Sequence, residues 1–260
     1  MKVSVYRKSD LGRRRSLNED NYIIIRGKIS EISQTENKQA WTNLSLRGDG
    51  IFLAAIDGMG GLAGGQIASQ SIVNYIAEHW LEIEKEKSSR VPVVALEKAN
   101  EHLKKLAEQN PDLVRMGAVA TSCYLSGGSA NCAQVGDSRL YLFRDGEFNQ
   151  ISEDQTFVSN LVRMGKITPK EAESHPQRNV VSQALGPSHT IKPVDFKIKI
   201  KPRDKILICS DGLHGLLSAK EIANILSETN GDDTVNALVT AANEQGGTDN
   251  ITVLIAEISV

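Results

Sequence analysis

Six consecutive apolar residues, Ile51 to Ile56, stop on Asp57, and five glycines fall within the next eight positions, Gly58 to Gly65. A run without alternation carries hydrophobic side chains on both faces, so it reads as a buried strand. The glycine run then opens an amphipathic helix at about Gln66. A carboxylate at the mouth of a buried strand, with glycines behind it, lets backbone and a ligand approach closely. Two chemistries fit this stretch alone: a metal-holding aspartate or a phosphate-cradling turn.

The same arrangement recurs along the chain. An acidic residue beside glycine ends or precedes an apolar strand at Asp57-Gly58, Gly136-Asp137, Asp211-Gly212 and Gly247-Thr248-Asp249, and Glu19-Asp20 precedes the strand Tyr22 to Ile25. Taken singly, each is the usual chemistry of a tight turn. Neighbouring strands of one sheet would instead bring the tips within several ångströms, where uncompensated carboxylates repel or shift their pKa. Hard divalent cations remove that conflict. Glu19, Asp57, Asp211 and Asp249 carry four charges when ionised, matching two Mg²⁺ or Mn²⁺ ions in all-oxygen surroundings. Zinc fits less well, because no histidine or cysteine clusters with these residues. Two such ions would hold water as hydroxide and polarise a phosphoryl oxygen for in-line displacement. Arg15, four residues before Glu19, is the cation whose guanidinium matches phosphate oxygens. The bland reading of Arg13-Arg14-Arg15 is a solvated basic patch.

Dinucleotide binding is the rival reading of the opening stretch. The glycine spacing is not G-x-G-x-x-G, Asp57 would direct a negative charge at the pyrophosphate, and no G-x-x-x-x-G-K-[ST] loop exists. Among the histidines, His79 and His102 fall on predicted helices as exposed residues and His189 in a polar loop, while His214, three residues after Asp211, either approaches the metals or, as the commoner case, starts a helix. His175 is kept as a proton-donor candidate.

The remaining sequence sets the frame. A 260-residue chain with a formal net charge of −2 and 40% hydrophobic residues is long enough for a substantial core and carries no global basic field for nucleic acid. No apolar run approaches the roughly 18 residues of a membrane span, and the N-terminus lacks a signal-peptide core. Cys123, Cys132 and Cys209 sit in apolar segments without paired ligand spacing and read as buried reduced thiols, which suits a cytoplasmic protein. Periodicity predicts helices from Gln66 to Ser88, with Ile67, Val73, Ile76, Trp80 and Ile83 apolar, and from about Val93 to Gln109. Ala118 to Arg144 reads as a three-stranded antiparallel meander. Residues 155–186, with a Thr168-Pro169 helix start, read as a functional flap. Residues 27–49 read as a hairpin or loop insertion anchored by Trp41. No repeat or linker divides residues 1–260, which are expected to form a single domain.

The motifs RRSLNED (14–20), IDGMGGLAGG (56–65), VGDSR (135–139), SDGL (210–213) and GGTDNIT (246–252) occur in one order across nearly the whole chain. This set resembles the PPM-type, metal-dependent Ser/Thr protein phosphatases (type 2C), and HPQRNVVSQALG (175–186) resembles their compact bacterial members. The resemblance implies an α+β fold, a four-layer αββα sandwich with two central antiparallel sheets flanked by helices. It also implies that Asp57 bridges two metal ions, with the Gly58 carbonyl and Glu19 serving the second and Asp211 and Asp249 completing the first. Asp137, with Asp211, matches a third-metal position. Asp20 and Asn250 match supporting positions, and Arg15 matches the substrate-phosphate position. Two departures stand out: Met59 replaces a histidine found in many eukaryotic members, and Asp154-Gln155-Thr156 replaces a common D-H-S.

The function expected from this reading is hydrolysis of phosphoserine and phosphothreonine in proteins by a dimetal-activated hydroxide, reversing a cognate Ser/Thr kinase. The chain is expected to be monomeric. The alternatives are a catalytically silent phosphoprotein-binding relative, which would have lost an aspartate, and a small-molecule phosphatase using the same site.

Overall fold

The structure, a computed structural model, describes residues 1–33, 40–60, 64–186 and 190–260. Residues 61–63 of the glycine run and His189 lie outside the described residues, as does part of the 27–49 insertion. The strands are β1 (Lys2–Asp10), β2 (Asp20–Arg26), β3 (Ile29–Ile32), β4 (Leu44–Ser45), β5 (Ile51–Met59) and β6 (Gly117–Ser126). They continue with β7 (Ser129–Val135), β8 (Arg139–Arg144), β9 (Glu147–Gln150), β10 (Val194–Lys199), β11 (Lys205–Cys209) and β12 (Ile251–Ser259). The helices are α1 (Gly64–Glu78), α2 (Trp80–Ile83), α3 (Val91–Gln109), α4 (Phe157–Arg163) and α5 (Pro169–Glu173), then α6 (Asp211–His214), α7 (Ala219–Glu228) and α8 (Asp232–Glu244).

Two antiparallel six-stranded sheets form the centre, in the orders β4-β1-β12-β11-β8-β9 and β10-β7-β6-β5-β2-β3. The apolar run of β5 now has its reason. Ile51, Leu53 and Ala55 face the other sheet with Tyr22, Ile24, Ile206, Ile208 and Leu254. Phe52, Ala54 and Ile56 face the helical layer with Ile72, Ile76, Trp80 and Leu96. On the far side, Leu207, Val253 and Ile255 pack beneath Leu226, Leu238 and Val239 of α7 and α8. Three apolar interfaces between four layers make the expected αββα sandwich. Capping boxes start α5 at Thr168 and α7 at Ser218, each joining the cap hydroxyl to a glutamate three residues on.

Three sequence expectations are corrected. The helix expected over 66–88 breaks at His79, which turns Trp80 and Ile83 into the core beneath β5. Its buried stripe is Ala68, Ile72, Val73 and Ile76, whereas Ile67 faces solvent. The third is the meander of 118–144. β6 and β7 form a hairpin, but β8 crosses to the other sheet and pairs with β11 and β9. The turn Gly136-Asp137-Ser138 is therefore a crossover between sheets. Trp41 is buried as expected, its indole N–H donating to Glu31 at 2.8 Å.

Candidate metal centre

All the acidic tips meet at one edge of the sandwich. Asp20, at the start of β2, lies directly opposite Asp57 on β5. In the other sheet, β11 ends next to the start of β12, placing Asp211 beside Asp249 and Asn250. The β7 to β8 crossover brings Asp137 to the same edge. The Asp57 and Asp211 carboxyls come close enough to influence each other's charge.

Gathering these carboxylates has an electrostatic cost, and the local pKa values record it. Burial holds the Asp57 carboxyl well above its ordinary range, reinforced by Asp20, Asp211, Asp137 and Asp249. Burial likewise pushes Asp20 and Asp137 up to about 7, with Asp211 adding to both. Asp211 is raised by burial and then by Asp249. Neutral carboxyls at neutral pH would forfeit their purpose, so the cluster calls for a cation.

The cation already present is Arg15. Its Nη2 donates to Asp249 Oδ2 at 2.7 Å, and its Nη1 lies 3.8 Å from Glu19 Oε2. The side chain is 45% exposed, so it lies at the solvent edge of the site. The loop bearing Arg15 and Glu19 is held by Asn250, which is 3% exposed. Asn250 Oδ1 accepts the Glu19 N–H at 2.8 Å, and its Nδ2 donates to the Leu11 and Leu17 carbonyls at 2.9 and 3.0 Å. Asp20 is held equally firmly: the Ser210 hydroxyl donates to it at 2.6 Å while accepting the Thr252 N–H at 3.0 Å.

Glycine makes room at the second position. A Cβ on Gly58 would strike the Gly65 carbonyl oxygen. A Cβ on Gly65 would lie 2.5 Å from Glu19 Oε1 and 2.7 Å from the Gly58 carbonyl oxygen. The Glu19 carboxylate and the Gly58 carbonyl thus share a cradle that only glycine leaves open. Among the described residues, no three His, Cys, Asp or Glu side chains converge into a closed ligand cluster. The all-oxygen set, its mutual repulsion and the glycine cradle fit divalent ions.

From Asp137, Asp211 and Asp249 a groove of about 830 Å³ runs under the 155–186 segment, lined there by Thr156, Ser159, Arg163 and Arg178. His214 is not at a helix start but ends the short α6, its Nε2 3.2 Å from the Asp137 carbonyl oxygen. Burial pushes its pKa down to about 3, so it is a neutral imidazole. His175 does not line the groove: its Nδ1 accepts the Gln177 N–H at 3.1 Å and its ring tilts on Phe157. His79 and His102 are half-buried and stack on Tyr75, not exposed as expected.

Apart from His175, the site residues singled out from the sequence therefore lie at this edge. Sequence reasoning missed the residues that hold them: Ser210, Thr252, Gly65, and the groups around the Asp137 turn. Ser210 was visible as the neighbour of Asp211, but its partner Asp20 lies 190 positions away.

Comparison with known proteins places the chain in a family. The sequence model of the family "Protein phosphatase 2C" matches residues 26–250. The chain belongs to the protein phosphatase 2C family. It is 36% identical over 208 residues to the serine/threonine protein phosphatase PstP of Mycobacterium tuberculosis, a match covering 79% of this chain and 40% of that protein. It is 31% identical to the serine/threonine phosphatase stp of Listeria innocua, covering 96% of this chain and 94% of that one. The crystal structure of M. tuberculosis PstP/Ppp superposes with a TM-score of 0.82 at 31% identity, each chain covered fully. The S. agalactiae serine/threonine phosphatase gives 0.83 at 32% identity over 99% of this chain and 100% of that one. The PstP catalytic domain in complex with two manganese ions gives 0.78 at 29%, covering 100% and 99%. The protein phosphatase 2C fold thus accounts for the two sheets and their flanking helices.

Proposed function

We propose that this chain is a metal-dependent protein Ser/Thr phosphatase that hydrolyses phosphoserine and phosphothreonine by direct transfer to water, without a phospho-enzyme. The observation that carries the reading is the gathering of Glu19, Asp57, Asp137, Asp211 and Asp249, drawn from both sheets, at one edge, with Arg15 bonded to Asp249 and beside Glu19. Asp57 would serve two Mg²⁺ or Mn²⁺ ions, with Asp211 and Asp249 on the first and Glu19 and the Gly58 carbonyl on the second. Asp137, with Asp211, would hold a third. When bound, the ions supply Lewis acidity, lowering the pKa of the attacking water and offsetting charge on the phosphoryl group.

The chain's own groups do the rest. Arg15 swings from Asp249 to hold the phosphate oxygens. Asp20 anchors Ser210, the residue before Asp211, and Asn250 fixes the loop that presents Arg15 and Glu19. The groove beneath the 155–186 flap takes polypeptide on either side of the phosphorylated residue, which favours a protein over a small phosphomonoester as substrate. The 1–260 chain works as one catalytic domain, monomeric and cytoplasmic, opposing a Ser/Thr kinase in signalling. The manganese complex of the PstP catalytic domain and the relatives' names support the metal-dependent phosphatase activity in this reading.

The test is hydrolysis of p-nitrophenyl phosphate and of a phosphothreonine peptide. Both should require Mn²⁺ or Mg²⁺, vanish with a chelator and collapse in Asp211→Asn. Arg15→Ala should raise KM without weakening Mn²⁺ binding in the absence of substrate. Activity that survives chelation would overturn the mechanism.

A further inference from the structure

We infer that Gln155 is a positioning residue: it ties the root of the 155–186 flap to the turn bearing Asp137, so that the two move as one unit. The inference rests on Asp137 belonging to the working site, as proposed above.

Gln155 is 6% exposed and reaches in three directions. Its backbone N–H donates to the Gly136 carbonyl at 2.9 Å, and its side-chain Oε1 accepts the Gly136 N–H at 2.7 Å. Both polar groups of the residue before Asp137 are thereby held by one residue. Its own carbonyl accepts the N–H of Ser182, at the returning end of the flap, at 2.7 Å. Thr156 pairs with Val181, and the Phe157 N–H donates to the Val180 carbonyl at 2.7 Å, so both ends of the flap close on this point.

The turn has little slack of its own. Gly136 has φ +100°, and a Cβ there would collide with Val119. Gln134 Nε2 donates to the Gly136 and Ser138 carbonyls at 3.1 and 3.0 Å, and the Thr121 hydroxyl donates to Ser138 at 2.6 Å. Next to Gln155, Asp154 takes a bidentate pair from Arg139 of β8, at 2.9 and 2.6 Å. A displacement of the flap root therefore cannot be absorbed locally and must pass to Asp137. Gln155 Nε2 is buried without a partner. An apolar side chain would avoid that penalty, so the residue's contribution lies in its oxygen.

The motif D-Q-T, where D-H-S is common, gains a role in this way. An imidazole nitrogen in its acceptor tautomer can take the same N–H.

The experiment is amide hydrogen exchange on the full chain, without metal, in wild type, Gln155→Ala, Gln155→His and Ser182→Pro. Gln155→Ala removes the acceptor of the Gly136 N–H but leaves the bond from Ser182 to the residue 155 carbonyl. Coupling predicts exchange faster by about tenfold at Gly136, Ser182 and Phe157 together, the loss of roughly one hydrogen bond's worth of protection. Ser182→Pro alters only an exposed flap residue, and reciprocity predicts faster exchange at Gly136. Calorimetry should show the weakest Mn²⁺ site of Gln155→Ala loosened, and kinetics a fall in kcat alongside a rise in KM for a phosphopeptide. Gln155→His should recover all of these. If Gln155→Ala does not fold, the Ser182→Pro arm decides alone. Faster exchange at Gly136 only, with Ser182 and Phe157 still protected, would overturn the inference, as would an unchanged Gly136 in Ser182→Pro. Coupled exchange in a chain without phosphatase activity would instead sink the functional reading and leave the coupling standing.

Discussion

Replacing Asn250 by alanine should expose how much of the site is held together by a residue that need not touch substrate. The side chain makes three hydrogen bonds, one accepted from the Glu19 N–H and two donated to the Leu11 and Leu17 carbonyls. Each is worth about 1 kcal/mol net, and buried groups left unpaired cost more. Leu17 is itself exposed, so water can reach part of that loop. The balance is a loss of about 2–3 kcal/mol in unfolding free energy. Urea denaturation in the presence of a chelator measures this directly. Because the same bonds orient Glu19, Mn²⁺ affinity should fall by about tenfold, the lower end of the usual effect of residues behind metal ligands. Asn250→Asp is the informative companion. It keeps the acceptor for Glu19 but sets a carboxylate oxygen against two carbonyls, so it should be at least as unstable as the alanine variant. A change below about 0.5 kcal/mol in Asn250→Ala, with Mn²⁺ affinity intact, would refute the reasoning.

Two further outcomes follow from the same geometry. Asp20 and Asp137 are raised to about 7 in the folded chain and bind protons more tightly there than when unfolded. Their contribution to stability is therefore full below their unfolded pKa near 4 and is lost as pH rises through 7. Thermal unfolding with chelator should show this fall, and Asp137→Asn or saturating Mn²⁺ should flatten it; a slope unchanged by either would contradict the pKa assignment. Gly65→Ala sets a methyl 2.5 Å from Glu19 Oε1 and 2.7 Å from the Gly58 carbonyl oxygen. It should cost about 1–3 kcal/mol and loosen one Mn²⁺ site in calorimetry, and unchanged binding would remove Gly58 from the donor set.

What the sequence disclosed follows from how local each signal is. Asp57 at the end of an unbroken apolar run, or Asp211 after Lys205 to Cys209, is legible because strand, tip and glycine are adjacent in the chain. The four-layer sandwich was legible through family motifs, and the core then explains why β5 could not alternate. The holding residues were not legible. Asn250 reaches Leu17 across 233 positions, and Ser210 reaches Asp20 across 190. No periodicity marks such pairs. The turn at 136–138 misled for a different reason. Gly136-Asp137-Ser138 has hairpin chemistry, but its polar groups are taken by Gln134, Gln155 and Thr121 instead of closing across the turn. Freed from each other, β7 and β8 enter different sheets.

The position of Arg15 ties the two halves of the proposed chemistry together. Its guanidinium bonds Asp249, and Asp249 is also the strongest influence keeping it charged. With the arginine 45% exposed and Asp249 33% exposed, that pair is worth no more than about 1 kcal/mol. It is strong enough to offset some of the repulsion among the carboxylates and weak enough to be displaced. Were Asp249 to hold a divalent ion, as proposed, the guanidinium would lose those oxygens and Arg15 would be left beside the site without its anion. A phosphate supplies that anion with two oxygens in the geometry a guanidinium prefers. The proposed ligand set would thus couple metal and phosphate binding through one side chain, and by linkage phosphate would tighten the metal by the same factor. Arg15→Ala should abolish that mutual tightening while leaving the carboxylates in place.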